Sequence, residues 1–307
     1  MKVISASRRT DIPAFYAEWF MNRIRAGFCH TTNPFSNRVF RVSLLPEDCT
    51  AIVFWTRNPA PLLKHLDDLN GYKYYFLYSL LGYGRPLESH NPSMEATITT
   101  FQRVSERATV VWRYDPIVIS SITPPEFHLE RFAYLARRLA GYTQRCTYSF
   151  ISMYGKTGRN LGRITADTGV KFSSLDQGQR HDLLTGLARI AQANGMEMYS
   201  CCELDYLQIG GIQQGHCVDL NLLRTITGSE TLSIQAQPTR EHCGCVASAD
   251  IGSYDTCLFG CAYCYATNSR EAALRRHAAH DPSDTILSRP SQWAGIDLDT
   301  LIHIPNT

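Results

Sequence analysis

Residues 109–115 read Thr-Val-Val-Trp-Arg-Tyr-Asp and form the clearest strand signal of the chain, because β-branched and aromatic residues run together there. A helical pattern of apolar residues covers 124–140, and a second strand-like run covers 147–152. A strand, a helix and a strand in succession predict two parallel strands joined by a right-handed crossover. This stretch therefore predicts an α/β fold.

The same alternation recurs on both sides of this stretch. The predicted strands cover 3–6, 51–55, 72–79, 109–114, 147–152 and 197–201. The predicted helices cover 13–26, 61–69, 93–106, 124–140 and 176–193. About six strand–helix units with short loops favour a full or partial (β/α) TIM-type barrel. We assign this barrel to residues 1–230 and expect a cysteine-rich segment, residues 231–307, to close its mouth.

The composition is that of an ordinary globular protein, with 307 residues of which 44% are hydrophobic and 19% charged. No apolar run is long enough for a signal peptide or a membrane span, and eleven cysteines without a secretory signal indicate a reducing compartment. We therefore expect a cytoplasmic protein without a membrane partner. A net charge of +2 gives no strong electrostatic footprint for nucleic acid, so we do not expect nucleic acid as a partner.

Three cysteines stand close together in the order Cys257-Leu-Phe-Gly-Cys261-Ala-Tyr-Cys264. Three thiolates on one loop can hold three irons of a [4Fe–4S] cluster and leave the fourth iron open for chemistry. The alternative is a structural zinc site that also uses Cys243 or Cys245. Zinc sites are usually built from two short ligand pairs, which this segment does not form cleanly, so we favour the cluster.

The C-x3-C-x2-C spacing, with Tyr263 just before its last cysteine, resembles the signature of radical S-adenosylmethionine (radical SAM) enzymes. The resemblance implies that the open iron takes the amino and carboxylate groups of SAM. It implies further that an electron from the cluster cleaves a carbon–sulfur bond of SAM, usually giving the 5′-deoxyadenosyl radical. An electron donor, either a reductase or a flavodoxin or ferredoxin, and a cofactor-binding role for Tyr263 are part of the same expectation.

Four segments extend the resemblance over nearly the whole chain. They are SASRRTDIP at 5–13, VFWTRNP at 53–59, WRYDP at 112–116, and the stretch from CGC to CYA at 243–266. Together they resemble the family called domain of unknown function 1848, which is noted for a carboxyl-terminal cysteine cluster similar to the amino-terminal one of radical SAM proteins. The resemblance implies a class of cofactor but no substrate.

The position of the cysteine loop predicts a circularly permuted barrel. In ordinary radical SAM domains the loop follows the first strand, and a segment after the second strand receives the amino group of SAM. If the loop unit has moved to the end of this chain, the strand at 3–6 takes the second position. The segment after it would face SAM, with Asp11 or the Ser7 hydroxyl as acceptor, and Arg8 and Arg57 complete the predicted cofactor-binding residues.

Charged residues also follow other predicted strands. The functional residues of a parallel barrel lie at the carboxyl ends of its strands, where this sequence has Arg113, Asp115 and Glu203. We predict that these three residues are catalytic. The alternative is that Arg113 and Asp115 pair with each other, or with Arg57, as a buried structural network.

Five other cysteines suggest a second, auxiliary iron–sulfur cluster. Its four thiolates would come from Cys201 or Cys202, from Cys217, and from Cys243 with Cys245. The alternative is that the first three are buried thiols, since free cysteine is among the most buried residue types. We favour the cluster because Cys243 and Cys245 lie in polar, turn-rich sequence, where burial is a poor explanation.

These observations favour a radical SAM enzyme that acts on a small molecule or a peptide. One variant of this hypothesis is repair or modification of nucleic acid, as in the spore photoproduct lyases that carry the same cysteine triad. The alternative is a non-catalytic iron–sulfur or zinc protein in electron transfer or regulation. Its mark would be a fourth protein ligand to the triad, with Cys243, Cys245 or His242 nearest in sequence.

Overall fold

A computed structural model describes residues 1–302, so residues 303–307 of the predicted cysteine-rich segment lie outside it. The chain divides into two compact units. The first unit comprises residues 1–74, 248–258 and those from 266 onward, and the second comprises residues 75–247 and 259–265.

Ten strands are present in the described part of the chain. They are β1 (Lys2–Ala6), β2 (Phe28–Thr32), β3 (Val39–Ser43), β4 (Cys49–Thr56), β5 (Tyr74–Ser79), β6 (Thr109–Ile117), β7 (Arg145–Phe150), β8 (Glu197–Cys201), β9 (Ile212–Gly215) and β10 (Ser248–Asp250). Eight of them, all except β2 and β3, belong to one sheet. In the first unit β1 pairs in parallel with β10 and with β4, whereas β2 and β3 form a separate antiparallel pair. In the second unit β5 to β9 pair in parallel, each with the next.

Helices alternate with these strands. Between residues 1 and 302 they are α1 (Ile12–Phe15), α2 (Ala17–Ala26), α3 (Ala60–Leu63), α4 (Met94–Ser105), α5 (Pro125–Leu139), α6 (Gly155–Thr168), α7 (Gln177–Ala193), α8 (Leu220–Thr227) and α9 (Arg270–Ala278). The fold is therefore α/β, with a large parallel sheet flanked by helices. None of the helices in this part of the chain has both the length and the apolar character that a membrane span requires.

Strand β4 is buried along its whole length, and this burial fixes the position of the polar residues at its carboxyl end. All eight residues from Cys49 to Thr56 are buried, and a strand that is buried at every position is covered on both faces. Helix α1 packs against it in the first unit. The carboxyl end of β4, where Thr56 and Arg57 lie, is therefore a fixed point of the first unit.

All six predicted strands are confirmed, with limits that differ by a few residues. The sequence analysis does not predict β2, β3, β9 or β10. Strands β9 and β10 have only four and three residues, which is too short for an alternating pattern to appear. The sheet therefore extends further towards the carboxyl terminus than the sequence pattern indicates.

The predicted helix at 13–26 is in fact two helices, α1 and α2, which separate at Tyr16. The backbone of Tyr16 leaves the helical region, with φ −135° and ψ 27°, and its hydroxyl donates a hydrogen bond of 2.7 Å to the carbonyl of Thr256. This contact joins residues far apart in sequence, whereas helix propensity depends only on local sequence. The break at Tyr16 therefore could not be predicted from propensity. The predicted helix at 61–69 is likewise divided into α3 and a short 3-10 turn at 66–69.

Helix α6 is absent from the sequence prediction for a local reason. It contains Gly155, Gly158 and Gly162, and glycine costs about 1 kcal/mol relative to alanine inside a helix. Helix α9, in contrast, begins where its sequence indicates, because the Ser269 hydroxyl accepts a hydrogen bond from the N–H of Ala272 and caps the helix.

Candidate functional site

Asp250, at the carboxyl end of β10, is the centre of a buried hydrogen-bond network in the first unit. Its carboxylate accepts hydrogen bonds from the hydroxyls of Ser5 (2.9 Å) and Ser7 (2.6 Å), from the backbone N–H groups of Arg8 (2.8 Å) and Gly252 (3.0 Å), and from Nε of Arg9 (3.0 Å). The network joins the segment that follows β1 to the segment that follows β10. We call these residues the Asp250 network.

Arg9 supplies the positive charge of the Asp250 network. Its guanidinium also donates to the carbonyls of Asp250 (2.7 Å) and Thr32 (3.1 Å). Burial alone would raise the pKa of Asp250, but the charge of Arg9 and the hydrogen bonds outweigh burial and hold this pKa below its ordinary value. Arg9 and Asp250 therefore form a largely buried ion pair, with side chains that are 10% and 15% exposed and 3.0 Å between Nε and the carboxylate.

Ser7, a predicted SAM-binding residue, is buried, and the protein's own groups orient it. Its hydroxyl donates to Asp250 and accepts a hydrogen bond of 3.0 Å from the N–H of Arg9. A Cβ at Gly252 would overlap the Ser7 side chain, so the close approach of the two segments requires glycine there.

Asp11, the other predicted acceptor for SAM, caps helix α1. Its carboxylate accepts hydrogen bonds from the N–H of Ala14 (3.0 Å), the hydroxyl of Thr56 (2.8 Å) and the N–H of Arg57 (2.6 Å). Burial raises the pKa of Asp11 to about 7, although these hydrogen bonds and the charge of Arg57 act in the opposite direction. Asp11 therefore ties the segment after β1 to the end of β4.

The raised pKa of Asp11 predicts that this residue makes the fold less stable as the pH rises. An unfolded aspartate ionises at about pH 4, whereas Asp11 in the fold keeps its proton up to about pH 7, so the folded state binds more protons between these values. Its contribution is complete below about pH 4 and is lost as the pH passes about 7. We expect the wild type to lose on the order of 1–4 kcal/mol of unfolding free energy between pH 5 and pH 8 relative to Asp11→Asn, which keeps a helix-capping side chain. Urea titrations of both proteins at the two pH values measure this difference, and equal changes would contradict the prediction.

The two predicted cofactor-binding arginines lie near the same strand ends. The guanidinium carbon of Arg8 lies 5.2 Å from the ring centroid of Trp55, and the charge of Arg57 acts on Asp11. The structure thus brings Ser7, Arg8, Asp11 and Arg57 together at the carboxyl ends of β1, β4 and β10.

The three cysteines of the predicted cluster lie in a loop without regular secondary structure. Cys261 is buried, and Cys257 and Cys264 are half-buried. None of the eleven cysteines, all of which fall within residues 1–302, takes part in a disulfide. Three thiols on one short loop are a donor set that fits an iron–sulfur cluster with one open iron.

Asp255 closes this loop at its base. Its backbone N–H donates to the carbonyl of Ala266 (3.0 Å). Its carboxylate accepts hydrogen bonds from the backbone and side-chain amides of Asn268, at 2.5 and 2.9 Å. The ends of the loop are therefore held together by the protein itself.

Tyr263, the predicted cofactor-binding residue inside the loop, is anchored in the second unit. Its hydroxyl donates a short hydrogen bond to the carboxylate of Glu88, and its ring contacts that of Tyr83 with 5.9 Å between centroids. The N–H of the preceding Ala262 donates to the carbonyl of Leu87 (3.0 Å). A role for Tyr263 in SAM binding stays a prediction.

Arg113 and Asp115, two predicted catalytic residues, lie on β6 in the second unit and form an ion pair with each other. The hydroxyl of Ser149, on β7, donates to the other oxygen of the Asp115 carboxylate. Arg113 also donates to the Ser79 hydroxyl (3.4 Å). This is the pairing that the structural alternative expects, and a catalytic role for the two residues stays a prediction.

Glu203, the third predicted catalytic residue, follows β8. Its backbone N–H donates to the Ser200 hydroxyl (3.1 Å), which donates in turn to the Glu203 carbonyl (2.7 Å). Burial raises the pKa of its carboxyl, while the charges of Arg180 and Arg240 act to lower it. Glu203 therefore lies near Arg240, which donates hydrogen bonds to the thiols of Cys201 and Cys202.

Five thiols of the second unit, those of Cys201, Cys202, Cys217, Cys243 and Cys245, contact one another. The Sγ atom of Cys201 lies 3.9 Å from that of Cys202 and 3.8 Å from that of Cys217. Cys243 lies close enough to act on the pKa of Cys202, and Cys245 lies close enough to act on the pKa values of Cys243 and Cys217. Each thiol therefore has two others beside it, and we call the closed set the thiol ring.

Arg240 binds the thiol ring directly. Its Nε donates to Sγ of Cys202 (3.2 Å), and its Nη2 donates to Sγ of Cys201 (3.5 Å). Hydrogen bonds from Cys202 and Cys217, together with the charges of Arg240 and Arg113, hold the pKa of Cys201 well below its ordinary value despite burial. The ring therefore favours a thiolate at Cys201.

Gly244 permits the close approach of two segments of the thiol ring. A Cβ at this position would overlap the imidazole of His216, which precedes Cys217 in the chain. Glycine between Cys243 and Cys245 therefore lets this turn pack against the Cys217 segment.

No group of three or more histidine, cysteine, aspartate or glutamate side chains in the described part of the chain is arranged to hold a metal ion. In an iron–sulfur cluster each cysteine binds a different iron, so the ligands need not surround one point. The fit of both cysteine sets to such a cluster therefore rests on their donor chemistry and on the groups that bind their sulfur atoms.

Three residues of these sites, Asp250, Arg240 and Glu88, are not predicted from the sequence. Asp250 ends a strand of three residues, and four of its five hydrogen-bond donors, from Ser5, Ser7, Arg8 and Arg9, lie more than 240 residues away in sequence. A usable signal was its position two residues before Gly252 and seven before Cys257, after a short run that contains Val246, Ala247 and Ala249. Arg240 and Glu88 stand in loops and carry no local pattern that separates them from surface charges.

The protein is an α/β protein with a parallel sheet. It has polar side chains at the strand ends and two sets of cysteines. The model of the family described as domain of unknown function (DUF1848) matches residues 3–266. The chain belongs to this family, as the four sequence segments predict. A search of curated proteins finds no match.

Proposed function

We propose that this protein is a radical SAM enzyme in which Cys257, Cys261 and Cys264 hold a [4Fe–4S] cluster with one open iron. Its substrate is a small molecule or a peptide. The observation that carries the proposal is the pairing of β10, the strand directly before the cysteine loop, with β1.

The register of β10 and β1 supports a permuted barrel. Residues 248–250 pair in parallel with residues 3–5, so the cysteine loop leaves the strand beside β1. This is the relation expected between the first two strands of a radical SAM domain whose first strand has moved to the end of the chain. A full or partial (β/α) barrel with circularly permuted order accommodates this arrangement.

The residues at the ends of β1 and β4 are suited to bind the amino acid part of SAM. A carboxylate offers about four acceptor positions, and three donors occupy Asp11, so one position remains for the amino group of SAM. The Asp250 network orients the hydroxyl of Ser7, which lies on the same segment four residues before Asp11. Arg8 and Arg57 supply positive charge for the SAM carboxylate.

Cys257, Cys261 and Cys264 would hold the cluster, which would supply the electron for reductive cleavage of a carbon–sulfur bond of SAM. Cys261 and Tyr263 are buried, with 8% exposed each, so the loop keeps water from its central thiol. Asp255 holds the two ends of the loop together through its bonds to Ala266 and Asn268.

Arg113, Asp115 and Glu203 are our candidates for substrate binding and proton transfer. Arg113 is half-buried, with 17% of its side chain exposed, and it retains its positive charge because Asp115 and the thiols of Cys217 and Cys201 outweigh the effect of desolvation and raise its pKa. A half-buried guanidinium beside a hydroxyl and a carboxylate suits a polar substrate that itself carries a carboxylate.

One alternative is a closed, non-catalytic site in which Cys243 or Cys245 is the fourth ligand. Both thiols already contact other cysteines, Cys202 and Cys217 respectively. This observation favours an open iron at the Cys257–Cys264 loop, because the nearest candidates for a fourth ligand are engaged elsewhere.

The proposal is tested by anaerobic reconstitution of the full chain with iron and sulfide, followed by incubation with SAM and dithionite. We expect 5′-deoxyadenosine and methionine as products, and a change in the electron paramagnetic resonance (EPR) spectrum of the reduced protein when SAM is added. Reconstituted protein that carries a cluster but releases no fragment of SAM would contradict the proposal.

A further inference from the structure

Two cysteines of the thiol ring are more exposed than cysteines that serve only as buried apolar side chains. Buried cysteines usually behave as small apolar side chains, as Cys29 and Cys146 do at 0% exposure inside strands β2 and β7. Cys202 and Cys243 are only half-buried, and each contacts two other thiols. A hydrophobic role does not account for five thiols that face one another.

Three separate segments converge to form the ring. Cys201 and Cys202 stand at the end of β8, Cys217 lies between β9 and α8, and Cys243 and Cys245 lie in the loop before β10. Successive side chains of an extended strand point to opposite sides. Cys202 has a left-handed backbone, with φ 71°, which is uncommon for a residue other than glycine. This turn lets two adjacent thiols join the same ring.

Positive charge accompanies the ring. The Arg240 guanidinium donates to the sulfur atoms of Cys202 and Cys201, at 3.2 and 3.5 Å, and Arg113 lies close enough for its charge to act on Cys201 and Cys217. A set of metal-bound thiolates is anionic, and hydrogen bonds to its sulfur atoms are a main determinant of cluster potential. The surroundings of the ring therefore suit bound thiolates.

We propose that the thiol ring holds a second [4Fe–4S] cluster, with Cys217, Cys243, Cys245 and one of the adjacent Cys201 and Cys202 as its ligands. Four protein thiolates leave no iron open, so this cluster transfers electrons or supports the fold and does not bind SAM. The inference goes beyond the proposed function and does not depend on it, because none of these ligands comes from the loop that carries Cys257, Cys261 and Cys264.

The experiment compares iron, acid-labile sulfide and zinc in four anaerobically reconstituted proteins. They are the wild type, the loop variant Cys257→Ser/Cys261→Ser/Cys264→Ser, the ring variant Cys217→Ser/Cys243→Ser/Cys245→Ser, and the control Cys49→Ser. We expect about eight irons in the wild type and in the control, and about four irons with about four sulfides in each of the two triple variants. The EPR signal of the reduced loop variant should not respond to SAM.

The loop variant decides the proposal, because it leaves the thiol ring untouched even if the ring variant fails to fold. A loop variant without iron and sulfide would overturn the second cluster, and so would one zinc without sulfide at the ring. A loop variant that keeps its cluster while the wild type fails to cleave SAM would overturn the proposed function alone. The two proposals can therefore fail separately.

Discussion

Cys261→Ser should lower the rate of 5′-deoxyadenosine formation by at least about 100-fold, which is the upper end of what the loss of a supporting metal contact costs. Cys261 is the middle thiol of the triad and is 8% exposed. Two remaining thiolates cannot hold three irons of a cube, and a serine hydroxyl stays protonated where a thiol ionises. The expected result is loss of the iron associated with the loop together with loss of SAM cleavage.

Cys49→Ser is the matched control for this variant. Cys49 is 7% exposed and stands at the amino end of β4, the end opposite to the one that carries Thr56. The same atom is replaced at nearly the same burial, so any general effect of the substitution appears in both variants. Product formation is followed by chromatography under dithionite. A Cys261→Ser protein as active as Cys49→Ser would remove the triad from the mechanism.

Asp250→Ala should destabilise the first unit by about 3–5 kcal/mol, the range seen when one partner of a buried ion pair is removed. The substitution leaves the Arg9 guanidinium buried without its carboxylate and takes an acceptor from four other donors of the Asp250 network. Unfolding in denaturant at pH 7 measures the loss. Asp68→Ala removes a carboxylate that is 52% exposed and pairs with Arg25 at 3.6 Å, so its effect should stay below about 1 kcal/mol.

The pH dependence of the Asp250 variant has the opposite sign to that of Asp11. The pKa of Asp250 is lowered in the fold, so its stabilising contribution is complete above its unfolded pKa of about 4 and is lost as the pH falls below that value. The difference in unfolding free energy between the wild type and Asp250→Ala should therefore shrink as the pH is lowered from about 5 to about 3. A difference that is constant over this range would argue against an ionised Asp250.

The central strands could be predicted from sequence because their signal is local. The residues of β4, for example, are buried without interruption. Most of its eight consecutive side chains are apolar or β-branched, and this local run predicts a strand. Strand β10 has three half-buried residues and is a strand mainly because β1 pairs with it. It forms only in the folded protein, because its partner β1 lies more than 240 residues away and outside any local stretch of sequence.

In the candidate sites, the chemistry of the residues could be predicted from sequence, but their contacts could not. The residue types and spacing of the cysteines predict which residues can hold iron, since that chemistry depends on side chains alone. The contacts of the thiol ring depend on the backbone turn at Cys202 and on the space at Gly244. The Asp250 network depends on residues that lie more than 240 positions apart in the chain. Neither follows from composition or periodicity, and both had to be observed.

The pairing of β1 with β10 also bears on the order in which the chain folds. Ser5 and Asp250 are hydrogen-bonded although 245 residues separate them, so during synthesis the edge of β1 that pairs with β10 stays unpaired until residues 75–247 have all been made. Contacts of such long range are slow to form, and an exposed strand edge invites wrong pairing in the meantime. We therefore expect the first unit to be the late-folding part of the newly made chain, and the part most dependent on chaperones.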